Sequence, residues 1–155
     1  MTFKKVLLAS IVTSMFAAGA AYAGPPVTVT FKNLGNETAT YKVITNNEVS
    51  TNASASPKPA TTVPAKESDI YRVQNVISPD ANAAIVRYTM DSKTCVFGTT
   101  FVNTIIPGGL FNPGGPKKAP KWNKSAEGSG GAVCTATITS QSLSTYAWNV
   151  EFTMK

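Results

Sequence analysis

Histidine is absent from all 155 residues of the chain, and that absence narrows the possible chemistry more than any residue present. Without imidazole there is no Ser-His or Cys-His nucleophile pair and no histidine-containing zinc site. Cys95 and Cys134 are the only thiols. If they pair, a cysteine nucleophile and a thiolate metal site disappear as well. No Ser-x-x-Lys spacing exists through which a lysine would activate a serine. Two carboxylates suffice for glycoside hydrolysis, but Glu67 and Asp69 are the only close pair among eight acids. They flank the start of a strand beside a proline-rich stretch, where charge keeps an edge soluble. No Asp/Asn ladder has calcium-loop spacing, and no glycine-rich phosphate cradle precedes a helix. The residue types therefore predict a non-enzymatic protein with no catalytic residue, metal or cofactor.

The remaining cluster is basic and aromatic. Lys117, Lys118, Lys121, Trp122 and Lys124, with Phe111 nearby, fall in a stretch from Pro107 to Gly131 that holds seven glycines and four prolines. On an exposed loop, the lysines attract anionic partners at long range and Trp122 supplies an amphipathic anchor. An anionic glycan, a lipid headgroup at a peripheral membrane contact, or an acidic protein surface fits that chemistry. Nucleic acid does not, because no wider basic stripe accompanies the cluster. The competing reading folds Trp122 back as a lid on one sheet and leaves the lysines solvated.

The opening residues set the context. Lys4 and Lys5 precede an apolar run from Val6 to Ala18, and Ala21-Tyr22-Ala23 follows. These are the parts of a cleavable export signal, with cleavage expected between Ala23 and Gly24. The run is shorter than the roughly 20 residues of a spanning helix, and its alanine-rich character is of bacterial type. The expected destination is the periplasm or the extracellular space. Three Asn-x-Ser/Thr triplets, at Asn36, Asn52 and Asn123, then carry no meaning as glycan acceptors. Gly24 to Lys155 would be 132 residues, the size of one domain. The full-chain charge of +6 would fall to +4 when Lys4 and Lys5 leave, and four lysines of the Pro107–Gly131 stretch match that excess. In an oxidising compartment Cys95 and Cys134 are expected to form one disulfide.

Alternation with a period of two runs through the domain, with no sustained period of 3.6. Val27, Val29 and Phe31 alternate with polar residues, as do Ala39, Tyr41 and Val43, and Asn33-Leu34-Gly35-Asn36 between them reads as a hairpin turn. Residues 46–66 and 107–131 read as long irregular loops, the first an extended loop or edge. Ala84, Val86, Tyr88 and Met90 form one strand face, and Cys95, Phe97 and Phe101 another on a central strand. Cys134, Ala136 and Ile138 follow. Tyr146, Trp148, Val150, Phe152 and Met154 complete the inward set. About seven short strands predict an all-β, antiparallel two-sheet sandwich of immunoglobulin-like architecture, with a closed barrel as the alternative.

The Phe31-x-Asn33-x-Gly35-Asn36 turn and Val63-Pro64-Ala65 leading into Ile70-Tyr71-Arg72-Val73 resemble the immunoglobulin-like modules of bacterial envelope proteins, over about a third of the domain. The alternating last strand resembles that of chaperone-assembled pilus subunits. The chain departs from those subunits in its late first cysteine and in Lys155 after Met154. Three functions are therefore in play: a binding or adhesion module presenting the Lys/Trp/Gly-rich loop, a membrane-active β-protein, and a pilus-type subunit assembling by strand exchange.

Overall fold

The computed structural model describes residues 23–155. The expected export segment, apart from Ala23, lies outside the described residues. In chain order these form β1 (Val27–Asn33), β2 (Ala39–Lys42), α1 (Asn46–Ser54), β3 (Thr62–Val63), β4 (Ser68–Val73), β5 (Ala81–Met90), β6 (Lys93–Ile105), β7 (Lys118–Ser129), β8 (Cys134–Gln141) and β9 (Trp148–Met154). Two sheets pack face to face, ordered β4-β1-β9-β8 and β3-β2-β5-β6-β7. The sandwich expected from the sequence holds, with nine strands in place of about seven. Pairing is antiparallel throughout except between β1 and β9, which run parallel in full register from Val27↔Trp148 to Asn33↔Met154.

The alternating residues meet in one core. Val27, Val29 and Phe31 from β1 and Trp148, Val150, Phe152 and Met154 from β9 face Val86, Tyr88, Cys95, Phe97 and Phe101 of the other sheet. Phe31 stacks on Tyr88 with ring centroids 3.6 Å apart, and Phe97 on Phe152 at 4.8 Å. Each such side chain contributes roughly 1.5–3 kcal/mol by leaving water. Two polar contacts lie inside the core: Trp148 Nε1 donates to Thr99 Oγ1 at 2.9 Å, and Tyr88 Oη donates to Tyr71 Oη at 3.3 Å. Burial raises the Tyr71 and Tyr88 phenols above their ordinary value. Cys95 and Cys134 form the expected disulfide, which joins β6 of one sheet to β8 of the other.

Three local expectations are corrected. The β1–β2 hairpin does not form: the two strands lie in different sheets. The cause is Asn33, fully buried, whose Oδ1 accepts from Gly35 N at 2.9 Å while Nδ2 donates to Glu37 O at 2.7 Å and Val63 O at 3.0 Å. These bonds turn the chain across the sandwich. It does not fold back beside β1.

The stretch 46–66 is not one irregular loop. Thr45 caps α1, its Oγ1 accepting from Glu48 N, while the Glu48 carboxylate accepts from Thr45 N at 2.9 Å and Ile44 N at 2.6 Å. This reciprocal capping box starts a helix that has no apolar stripe. Because β2 pairs with β5 only from Arg87 to Thr89, the Ile85 N–H has no strand partner there. It donates instead to Thr51 Oγ1 on α1 at 2.8 Å. After the helix, Ala55 bridges to Val73 and Ser56 N donates to Arg72 O, so the chain runs along the outer edge of β4.

The stretch 107–131 is likewise mostly strand. β7 pairs with β6 from Lys118↔Ile105 to Ser129↔Thr94, leaving 106–117 as the loop. An edge strand buries only part of one face. Trp122 and Ala126 alone carry its apolar signal, and Pro120 is tolerated because an edge needs no second donor row.

Candidate docking surface at one end of the sandwich

The strand registers place four segments at the same end: residues 24–26, the β4–β5 loop (74–80), the β6–β7 loop (106–117) and the β8–β9 loop (142–147). Val27 pairs with both Val73 and Trp148, Ala81 with Val102, and Ile105 with Lys118. Asn82 Nδ2 of β5 donates across to Pro25 O and Val73 O of the other sheet, and Gly24 N donates to Asn75 O within this end.

Asp80 is the pin between the two longer loops. Its backbone O accepts from Asn103 N at 2.8 Å, its Oδ1 from Asn103 Nδ2 at 3.1 Å, and its Oδ2 from the Lys118 ammonium in a close ion pair. The Lys118 hydrogen bond holds the Asp80 carboxyl below the ordinary carboxylate value, against partial burial and with help from Asn103. Within the β6–β7 loop, Gly108 in the left-handed region leads a single 3-10 turn over Gly109–Phe111. Gly109 packs against Lys117, with Lys117 N donating to Gly109 O, Ile106 N to Lys117 O and Gly109 N to Ile106 O.

That frame holds apolar side chains outward. Phe111 is 93 % exposed, Ile77 84 %, Leu143 75 % and Val76 70 %, and Leu110 is also mostly exposed. They come from three loops of one end. Beside them Ile77, Ala81, Ala83, Thr100 and Val102 line an apolar notch of about 260 Å³. The opposite end presents Glu37, Asp91, Lys93 and Lys155, with Leu34 and Met90, around a depression of about 310 Å³.

The six candidates from the sequence are not brought together. Phe111 and Lys117 lie on the β6–β7 loop, exposed. Lys118 is engaged by Asp80. Lys121 shares the outward face of β7 with Asn123, and Lys124 pairs opposite the buried Thr99, on the face that also carries Trp122. Trp122 itself is half-buried, 5.4 Å from the Phe101 ring, and its Nε1 donates to Tyr146 O. It lies on the core as a lid, so the exposed aromatic of this region is Phe111. Sequence reasoning missed Val76, Ile77, Leu110 and Leu143. The signal was available in Val76-Ile77 directly before Ser78-Pro79-Asp80, an apolar pair placed in a turn.

Three carboxylates away from this end are committed to structural contacts. Glu48 is fully buried against Arg87 at 2.9 Å, Asp69 accepts from Ala60 N at 2.8 Å, and Glu151 pairs with Lys32 at 2.6 Å. Among the described residues, no group of three or more His, Cys, Asp or Glu is placed to hold a metal ion, and no helix is long and apolar enough to cross a membrane. No protein-family model and no curated protein sequence matches the chain.

Proposed function

We propose that this protein is a non-enzymatic binding module, exported and disulfide-stapled, that docks by the 77/111 end onto an anionic lipid interface. The observation carrying this reading is the set of exposed apolar side chains, Val76, Ile77, Leu110, Phe111 and Leu143, gathered on three loops. Separate apolar tips on a rigid frame enter a deformable headgroup layer and gain by burying there. Lys117 on the same loop and Lys121 at the start of β7 add attraction to anionic headgroups, each by about 1 kcal/mol when near the surface. A glycan is the weaker fit, since sugar recognition needs convergent polar groups and this end presents hydrocarbon. Exchange of β9 between subunits is weaker still, because β9 is hydrogen-bonded to β1 on one side and β8 on the other.

Flotation of the protein with phosphatidylglycerol-containing vesicles tests this. Binding is expected to anionic vesicles and to fall with salt. The double variant Ile77→Ser/Phe111→Ser should abolish it, and Lys117→Gln/Lys121→Gln should weaken it several-fold, with no change in unfolding. Absence of binding to every vesicle composition sinks the lipid reading. Dye leakage accompanying binding would place the protein in the membrane-active class.

A further inference from the structure

The sandwich has four margins, and three are guarded. The outer edge of β4 is covered by Ala55 and Ser56, the second sheet ends on β3, only two residues long, with α1 beside β5 where β2 stops, and β7 carries Lys118, Pro120, Lys121, Lys124 and Glu127. Charge and proline of that kind blunt an edge against strand addition. β8 has neither. It is the outer strand of its sheet, eight residues long, and reads Cys-Thr-Ala-Thr-Ile-Thr-Ser-Gln without a charged side chain.

The direction of its backbone groups follows from the ladder. Val133 and Lys155 exchange both hydrogen bonds, at 2.8 and 2.9 Å. The alternation of an antiparallel pair then turns Thr135 and Thr137 toward β9 and leaves the N–H and C=O of Cys134, Ala136 and Ile138 pointing away from it. Among the described residues these six groups find no backbone partner beyond β9. A register shift at Ile138/Ser140 ends the regular edge, so the open stretch is the five residues centred on Ala136.

We infer that this edge binds the same edge of a second copy of the chain, antiparallel and two-fold, centred on Ala136. The stretch is its own complement. In that register Cys134 lies opposite Ile138 of the other copy, Ala136 opposite Ala136, and Thr135 opposite Thr137. Outward backbone groups then meet outward backbone groups. Threonine meets threonine, a favourable cross-strand pair, and no like charges oppose each other. The two four-stranded sheets become one of eight strands, an isologous closed dimer.

Sedimentation velocity of the oxidised protein, from micromolar to millimolar concentration, tests this. The wild-type chain is expected to shift from monomer to dimer as concentration rises. Ala136→Pro removes an outward N–H that the β8–β9 ladder does not use, and should lose the dimer. Thr135→Lys/Thr137→Lys sets lysine against lysine twice and should also lose it. Thr135→Glu/Thr137→Lys sets opposite charges face to face and should keep it, with a new sensitivity to salt. A wild-type monomer across the range overturns the proposal, including one that captures an unrelated extended peptide. So does a dimer that survives in folded Ala136→Pro. Should that variant fail to fold, equal behaviour of the two charge variants overturns it alone.

Discussion

Along one flank of the sandwich, residues 45–63 lay a helix beside β5, a short bridge beside β4 and a strand beside β2; along the other, among the described residues, no strand pairs with β8 beyond β9. The covered flank is held by hydrogen bonds to a buried carboxylate. Glu48, wholly buried, accepts from Ile44 N, Thr45 N and Arg87. The open flank is held by the Cys95–Cys134 bond and by Trp122 lying over Phe101 and Tyr146. One flank therefore answers to acidity and the other to reductant.

The largest expected effect separates them by redox. A disulfide spanning 39 residues contributes roughly 4 kcal/mol on the chain-entropy view. Cys95→Ala/Cys134→Ala should lower urea stability by about that amount, and amide exchange should accelerate in 126–138 while 46–54 stays protected. Equal acceleration on both flanks would dissolve the distinction.

Next in size, Glu48→Ala strands Arg87 and two backbone N–H groups and should cost about 3 kcal/mol, since removing one partner of a buried pair leaves the other uncompensated. Circular dichroism and urea melts measure it. Exchange should now rise in 46–54 and not in 134–141.

Acid should mimic that variant more gently. Burial alone would raise the Glu48 carboxyl, but the Thr45, Ile44 and Arg87 hydrogen bonds outweigh it and hold the group below its ordinary value. A lowered folded-state value stabilises above the unfolded value, near about 4.3, and the contribution disappears as pH falls through the folded one. The helix flank should loosen first on acidification, and Glu48→Gln should remove the difference. At the alkaline side, burial and the Glu48 charge push Tyr41 up to about 12, so its phenol should not titrate with exposed tyrosine.

The smallest effects test the β7 assignments. Trp122→Ala removes a half-buried ring and should cost about 2 kcal/mol, whereas Lys124→Gln should stay within about 0.5 kcal/mol.

Strand faces were readable wherever both the period and the burial were complete. Val27 to Phe31, Ala84 to Met90, and Trp148 to Met154 face as their alternation said, and Cys95 paired with Cys134 as the cysteine count said. Partners were less readable. Nothing in the period of β1 distinguishes a hairpin from a crossing to the other sheet, because the deciding bonds come from the Asn33 side chain to Val63, thirty residues away. The helix was hidden for a different reason: Val49 is more than half exposed and α1 buries only Glu48 and Thr51, so no apolar stripe exists. Thr45-x-x-Glu48 was its one local sign. β7 was read as loop because an edge strand carrying Lys118, Pro120 and Lys121 has the composition of a loop. Of the basic and aromatic candidates, Phe111 and Lys117 are exposed on the β6–β7 loop, whereas Trp122 turned inward once Phe101 and Tyr146 were beneath it.

The parallel pairing of β1 with β9 sets the order of events in folding. The first and last of the described strands are neighbours, separated by almost the whole described chain, so the contact between them is among the most distant in sequence and slowest to form. A chain delivered from its amino end, by synthesis or by passage through a pore, has β1 long before Trp148 arrives. Until then β1 is paired only with β4, and β8 with nothing. The seven residues of β9 fill the gap between them, and only then does Phe97 gain the Phe152 ring and Phe101 the Trp148 ring. Among the described strands β9 is delivered after all the others, and it is the one that commits the sandwich to its folded state.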